Sequence, residues 1–461
     1  MKPRGILVAD VGYTHTKLAL FNDRLELVAE EKIASRHPQG PPYPSNDPET
    51  AMAFFRERIV HFDTILPVDV IVPCGHGAAV VALDVEGKLV LPPMDYNARP
   101  PQRIIAEYER AMPAFAESAS PFLPMALMHG MQLFWMSRDW PEAFARTHTI
   151  MPWIQYITYR LSGMKCVEIT SMCCQSHLMN VPESRLSSLV EDQGWAPFFP
   201  PFAKAWQRVG VLDAAFRGAG LRGRAEVVAG IHDSSANFLR YLAGGRQHFS
   251  LVSTGTWSIA FDSDTRFEEL KEDLDTSANR DVFGNLVSCS RFFGGKEFEI
   301  LAGSSVSEIP RLETVGELIT SKIFALPSFS DSAGPMPGTG DRGRIEGRSD
   351  ISALERISIA SLYCAQMVSM QLDALKSRGD IIIDGPFSQN RVLLGVLAQL
   401  RAGQRIFASK LTNGTAAGAA VLALIENETI PAIPLTLDEI APAGIAGLAD
   451  YQREWLARAK A

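Results

Sequence analysis

The sequence predicts an α/β protein of two domains, and three observations carry that expectation. The chain has 461 residues, too many for one compact core at roughly 100–200 residues per domain. A strand–polar turn–strand pattern occurs twice, in "LVADVGYTHTKLALFN" (Leu7–Asn22) and "HFSLVSTGTWSIAFDSD" (His248–Asp264). Aligning "VADVGYT" with "LVSTGTW" pairs Gly12 with Gly255, just over half the chain apart, as if two domains each began with a phosphate-sized hairpin. Two later turns at helix starts, "DIIIDGPFSQN" and "SKLTNGTAAGAAVLAL", suit an α/β nucleotide domain.

Along the chain, "GILVAD", "KLALFN" and "LELVAEEKIA" read as a strand meander broken by Asn/Asp turns, and "VDVIVPCG" as a further strand. Helical spacing dominates from Gln102 to Gly163, with "EAFARTHTIMPWIQYITYRLSG" inside it and Gly163 as its stop. "RAEVVAGIHDSSANFLRYLAGG" is a strand entering a helix, with Asp233 or Ser234 near the N-cap. Leu326–Asp350 is a Pro/Gly/Ser-rich loop leading to a long helix from Ile351.

Composition narrows the class. With 46% hydrophobic and 21% charged residues the chain reads as a soluble globular protein. A formal net charge of -8 argues against nucleic-acid binding, which depends on clustered Lys and Arg. No apolar run approaches the roughly 20 residues that span a bilayer, and Asp10 interrupts the N-terminal run too early for a signal peptide. The six cysteines show no CxxC spacing, which predicts neither zinc nor disulfides and fits a reducing cytoplasm.

The opening hairpin carries the first candidate chemistry. Gly12 permits close approach to an anion, and Thr14 and Lys17 supply a hydroxyl and a charge for phosphate. Asp10 would repel phosphate unless Mg²⁺ stood between them, so an acid here implies that ion. The alternative is a solvated hairpin with Lys17 at the surface. Neither GxGxxG nor GxxxxGK[ST] occurs in this stretch, which disfavours Rossmann and P-loop readings and a nicotinamide oxidoreductase. Thr254, Gly255 and Thr256 form the second turn, with hydroxyls and backbone N–H groups but no charge.

Asp233 at a helix start is either a plain N-cap or a general base that accepts a hydroxyl proton during phosphoryl transfer. His232 beside it is a substrate hydrogen-bonder or a packed core residue. His76, flanked by Gly75 and Gly77, can line a polar pocket at a strand end. Trp135 and Trp153 offer faces for a sugar, or belong to the core. Gly385, Pro386 and Asn390, together with Gly414, make strand-to-helix turns open enough for a flat adenine.

In this order the pieces resemble the FGGY family of carbohydrate kinases, within the superfamily of sugar kinases, actin and heat-shock ATPases. Asp10-Val11-Gly12-Tyr13-Thr14 with Lys17 looks like the first phosphate motif, and Ser253-Thr254-Gly255-Thr256-Trp257 like the second. Gly230-Ile231-His232-Asp233 looks like the segment of the catalytic Asp, Asp384-Gly385-Pro386 through Asn390 like the adenosine motif, and "TYRLSG" is similar to the family's "YRLTG". His-Asp followed by Ser, Gly-Thr-Trp, and Glu168-x-Thr170 resemble the rhamnulose and fuculose kinase branch.

The resemblance implies two actin-like (ribonuclease H-like) α/β domains, 1–241 for sugar and base and 242–461 for ATP, with an active-site cleft between them. It implies ATP-dependent phosphorylation of a terminal hydroxyl on a small ketose, with ATP and Mg²⁺ as cofactors. Asp233 is then the base, and Asp10 and Asp233 address the metal. Thr14, Lys17 and Thr254–Thr256 bind phosphates; His76, Gly77, His232, Trp135 and Gln155 line the sugar site. A homodimer is what the family suggests. The chain departs from the pattern at Gln132, where relatives carry Lys, and at Gln155, where they carry Asp. It departs again at Arg291, in place of Asn, and in "DGPFSQN", in place of a triple-glycine run. The competing readings are a nucleotide-dependent regulatory protein without catalysis, and a polyol kinase.

Overall fold

The computed structural model describes residues 4–305, 307–331, 334–411 and 413–460. The chain divides into two compact units. The first runs from the N-terminus to Gly245 and takes in Ala278–Leu286 and Asn413–Pro434. The second comprises Arg246–Ser277, Val287–Thr412 and Leu435–Ala461.

The first unit opens with the predicted meander: β1 (Gly5–Val11), β2 (His15–Asn22) and β3 (Leu27–Ala34). Then come α1 (Pro48–Ile65), β4 (Val68–Gly75), β5 (Val80–Leu83), α2 (His129–Asp139), β6 (Thr149–Pro152), α3 (Trp153–Ser162) and α4 (Ile169–Cys173). β7 (Arg208–Val211), β8 (Glu226–Val228), β9 (Ile231–His232) and α5 (Asp233–Ala243) complete it. The sheet order is β3-β2-β1-β4-β8-β7, with β9 also on β4. β4 runs parallel to β1, β8 and β9, whereas β1–β2–β3 is antiparallel.

The reason for the sheet lies in the residues. "VDVIVPCG" is buried throughout, as a central parallel strand must be. Ile6, Val8, Val70, Val72 and Cys74 form one apolar face that packs on Ala236 and Leu239 of α5 and on the helix Gly414–Val421. One expectation is corrected here. The helical stretch expected through Gly163 is broken by β6, because Thr149–Pro152 pair with Val80–Leu83, a partner that local periodicity does not reveal. Gly163 does end α3, at φ +73.

The second unit repeats this plan. β10 (Phe249–Thr254), β11 (Ser258–Asp262) and β12 (Leu286–Phe292) make an antiparallel meander. α6 (Gly294–Ala302), α7 (Ala353–Ala374), β13 (Asp380–Asp384), α8 (Arg391–Leu400), β14 (Ile406–Ser409) and β15 (Leu437–Ile440) follow. β13 joins β10 in parallel and β14 joins β13. The order β12-β11-β10-β13-β14 therefore matches β3-β2-β1-β4-β8, and Gly12 and Gly255 sit in equivalent first hairpins. The sequence echo reflects one architecture used twice. The six cysteines are buried, and none forms a disulfide among the described residues. Among those residues no helix is long and apolar enough to cross a membrane.

Asp69 on β4 ties the start of β1 to the segment before β8. It accepts from Arg4 N (2.9 Å), Nε (3.1 Å) and Nη2 (3.0 Å), and from Arg224 N (3.1 Å). Burial opposes its charge, but these bonds win and hold the carboxyl down at about 2. A carboxyl lowered on folding contributes stability that is present above about pH 4 and lost as pH falls toward 2, worth about 2 kcal/mol. Asp69→Asn should therefore lower stability at pH 7 by about that amount and flatten the pH 4-to-2 arm of urea melts. An unchanged arm would show that Asp69 has no part in it.

Candidate active site

Strand register assembles the site in the first unit. β1 and β9 flank the end of β4, so Asp10 and Ile231 both stand level with Cys74, and Val11 and His232 with Gly75. The carboxyl ends of parallel strands are where α/β sheets present ligand groups. Asp10, His76 and Asp233 all emerge there, drawn from three distant parts of the chain.

Asp233 is the first residue of α5, with His232 as N-cap. Its Oδ1 accepts from Ser234 N (2.6 Å) and Ser234 Oγ (3.1 Å) and lies 3.1 Å from His232 Nε2. Oδ2 takes no bond among the described residues, and the side chain remains 31% exposed. Burial opposes ionisation, yet the bond and charge of His232, with His76 and Ser234, hold Asp233 below the usual carboxylate range. His232 itself lies 3.4 Å from Cys174 Sγ and, through Nδ1, 3.1 Å from Ser235 Oγ. Burial would strip its proton, but Cys174 and Asp233 hold the imidazole well above its ordinary range. Gly77 is required by this packing, since a Cβ there would stand 2.5 Å from Cys174 Sγ and 2.9 Å from His232 Nε2.

Asp10 behaves oppositely. Burial, then the Asp233 carboxylate, push it up to about 7 against the pull of Lys17. Its Oδ1 is buried with no hydrogen-bond partner among the described residues. An orphaned carboxylate oxygen beside a second carboxylate fits a hard divalent cation. Among the described residues no cluster of three or more His, Cys, Asp or Glu side chains forms a metal cage.

Around the first hairpin tip the structure reveals a network that local sequence patterns do not assign. Tyr13 Oη is 3.1 Å from Asp95 Oδ2 and accepts from Asn97 Nδ2 at 2.6 Å. The Tyr13 ring packs on His37 (4.1 Å) and Tyr96 (4.4 Å), while His37 Nε2 meets Tyr13 O at 2.8 Å. Ser35 braces the same turn, donating to Gly12 O (2.8 Å) and, from its backbone N, to Thr14 O (3.0 Å). Thr14 is exposed at the tip, and Lys17 Nζ is 3.7 Å from Glu30 on β3. His76 stacks on Trp153 (5.9 Å) and is pushed down to about 4 by burial, so it is neutral at pH 7. The one sequence signal for this network was the Tyr and His residues beside the turn.

Other candidates lie in supporting positions. Trp135 packs against Tyr43 and Trp140 and donates Nε1 to Asp139 (2.9 Å), so it belongs to the core. Gln132 is spent on backbone, accepting from Val80 N and donating to Ala78 O and Ala126 O. Gln155 is fully buried and donates to Ala229 O at 3.2 Å, beneath the Asp233 segment.

In the second unit Thr254 ends β10, and Gly255 and Thr256 lie in the β10–β11 turn. Thr254 Oγ1 donates to Asp384 O (2.5 Å) and accepts from Phe387 N (3.0 Å), binding the hairpin to the Gly385–Pro386 loop. Gly255 faces open space, since a Cβ there would meet nothing nearer than Trp257 O at 4.0 Å. Trp257 stacks on Phe293 at 4.1 Å, and Arg291 is held by two 2.8 Å bonds to Asp275. Asn390 caps α8 through Leu393 N (3.0 Å) and donates to Ser361 Oγ (2.9 Å). Gly414 begins a helix that belongs to the first unit. Gly385 has φ +81, and a Cβ there would meet Thr254 O at 2.0 Å. Gly385→Ala should therefore lower the Tm, since strain and clash fall on one loop. A wild-type Tm in a thermal melt would contradict this.

Comparison with protein-family models matches residues 5–239 to the FGGY family of carbohydrate kinases, N-terminal domain, and residues 246–431 to carbohydrate kinase FGGY, C-terminal domain. A carbohydrate kinase structure from Novosphingobium aromaticivorans is 30% identical with a TM-score of 0.87, covering 98% of this chain and 100% of that one. Xylulose kinase from Rhodospirillum rubrum shares the fold at 18% identity, with a TM-score of 0.79 over 99% of this chain and 98% of that one. The Bacillus subtilis protein YoaC, named as a putative sugar kinase, is 22% identical over 271 residues, 56% of this chain. The match spans about half of YoaC's length, 54%.

Proposed function

Because the chain belongs to the FGGY family of carbohydrate kinases, we propose that it transfers the γ-phosphoryl group of ATP to a terminal hydroxyl of a small ketose. The observation that carries this reading is the convergence of Asp10 and Asp233 on the end of β4 from the two strands that flank it, with Asp233 held below the usual carboxylate range and Asp10 pushed up to about 7. Two carboxyls pushed apart in this way take different tasks.

Asp233 Oδ2 accepts the proton of the sugar hydroxyl as its oxygen bonds to the γ-phosphorus, and the bond to the ADP oxygen breaks. Oδ1, held by Ser234 and His232, keeps the carboxylate aimed. Phosphoryl transfer rests mainly on positioning and electrostatics, so a carboxylate of low basicity suffices as base. Asp10, with Asp233, would hold Mg²⁺, which when bound offsets phosphate charge. Thr14 and Lys17 at the first hairpin, and in the second unit Thr254–Thr256, Gly385, Pro386 and Asn390, are the nucleotide candidates. Gly414 is a further adenine candidate. His76 and Gly77, with His232, line the acceptor side. His76 is neutral and so offers a hydrogen bond without charge, which suits an uncharged polyhydroxy acceptor.

The test is ADP release from ATP·Mg²⁺ against ketopentoses, deoxyketohexoses such as rhamnulose and fuculose, tetruloses and polyols. A ketose should stimulate ADP release at least tenfold over water. Stimulation by polyols alone would move the acceptor class, and none by any acceptor would replace catalysis with a nucleotide-dependent regulatory role.

A further inference from the structure

We infer that Glu168 and Thr170 are positioning residues that aim the Asp233 segment, through a hydrogen-bond chain from α4 to the backbone of His232. This rests on Asp233 being the base. Glu168 is the N-cap of α4, which spans five residues. Its Oε2 accepts from Thr170 Oγ1 (2.6 Å), Ser171 N (3.2 Å) and Ser171 Oγ (3.4 Å). Thr170 Oγ1 in turn accepts from His232 N at 3.2 Å. At the far end of α4, Cys174 Sγ stands 3.4 Å from His232 Nε2. One short helix thus holds His232 by its backbone and by its ring, and Asp233 is the next residue.

Capping alone does not account for Glu168. An N-cap needs one acceptor, which Ser, Thr, Asp or Asn supplies at lower cost. Glu168 is instead fully buried, and its Oε1 has no partner among the described residues. Burial pushes the carboxyl up to about 7, and the surrounding bonds only partly reverse this. Burying such a carboxyl without a cation is expensive unless hydrogen bonds compensate, and the shortest of those it accepts comes from the Thr170 hydroxyl, whose proton it orients. A threonine hydroxyl rotates freely and can point its hydrogen either way. With that hydrogen committed to Glu168, its lone pairs face the His232 N–H, and the junction of β9 and α5 has one setting. A fraction of an ångström there moves the Asp233 carboxylate, and such displacements act on turnover more than on nucleotide binding.

The test compares Thr170→Val, which removes the hydroxyl and keeps the shape, with Thr170→Ser, which restores it. Activity is read with ATP·Mg²⁺ and the ketose of highest turnover in the panel, per mole of chain able to bind ADP. Thr170→Val should lower kcat at least tenfold with KM for ATP within about twofold of wild type, and Thr170→Ser should stay within threefold. Glu168→Gln still accepts from the hydroxyl and should also stay within threefold, whereas Glu168→Leu should follow Thr170→Val. If Thr170→Val does not fold, Thr170→Ala takes its place against Thr170→Ser. Equal losses in the Val and Ser variants, or wild-type kcat in Thr170→Val beside an inactive Asp233→Asn, overturn this inference alone. Wild-type kcat in Asp233→Asn overturns it together with the base assignment.

Discussion

Asp233→Asn is expected to lower kcat about 10³-fold while ADP binds within about twofold of the wild-type affinity. A positioned general base contributes about 10²- to 10⁴-fold, and the amide cannot take a proton. The substitution is nearly isosteric, so the amide oxygen can still accept from Ser234 N and the start of α5 keeps its geometry. The loss should therefore appear in kcat with KM for ATP little changed, which is the signature of an interaction made only in the transition state. Steady-state kinetics and ADP titration calorimetry check the two halves separately. Turnover within tenfold of wild type would remove Asp233 from the base role, and a parallel collapse of ADP binding would make it a structural cap.

Asp10→Asn carries the second largest effect. The substitution removes the charge that a divalent cation would meet, at an oxygen that is buried and without a partner among the described residues. We expect kcat to fall about 10²-fold. The Mg²⁺ concentration for half-maximal activity should rise at least tenfold, and excess Mg²⁺ should return part of the activity. The amide also ends the like-charge opposition between positions 10 and 233. Folding should therefore be no weaker than in the wild type at pH 8, where the native carboxyl would otherwise be forced to ionise. Thermal melts with and without Mg²⁺ give a readout apart from activity. An unchanged Mg²⁺ requirement would exclude Asp10 as the metal residue.

Much of this was legible locally. The β1 and β10 hairpins, the strand into α5 and the long α7 are encoded by short-range periodicity and turn residues, so reading along the chain finds them. Asp10 stands out locally as an acid at a hairpin tip, whereas an Asp at a helix start is an ordinary cap residue and Asp233 stands out only through the resemblance of its segment. The β6 strand was not, because its partner β5 lies some seventy residues earlier and its own four residues look like the prelude to α3. Trp135 was ambiguous for a related reason. A tryptophan's fate depends on which rings meet it, here Tyr43 and Trp140.

The sequence by itself determined the two-fold use of one strand plan, the polar hairpin tips at Gly12 and Gly255, and the order of the kinase motifs. Those are properties of neighbours in the chain. Tertiary structure decided the rest. The sheet register brought Asp10 and the Asp233 segment to the end of β4 from its two sides, where burial and then the Asp233 charge raise the Asp10 carboxyl. Folding also joined Tyr13 to Asp95, and Thr170 to His232. It returned residues 413–434 to the first unit as well. The physical reason is range. Propensity and turn chemistry act over a few residues, whereas burial and hydrogen bonding are settled by whichever distant groups the packed sheet brings within about 3 Å.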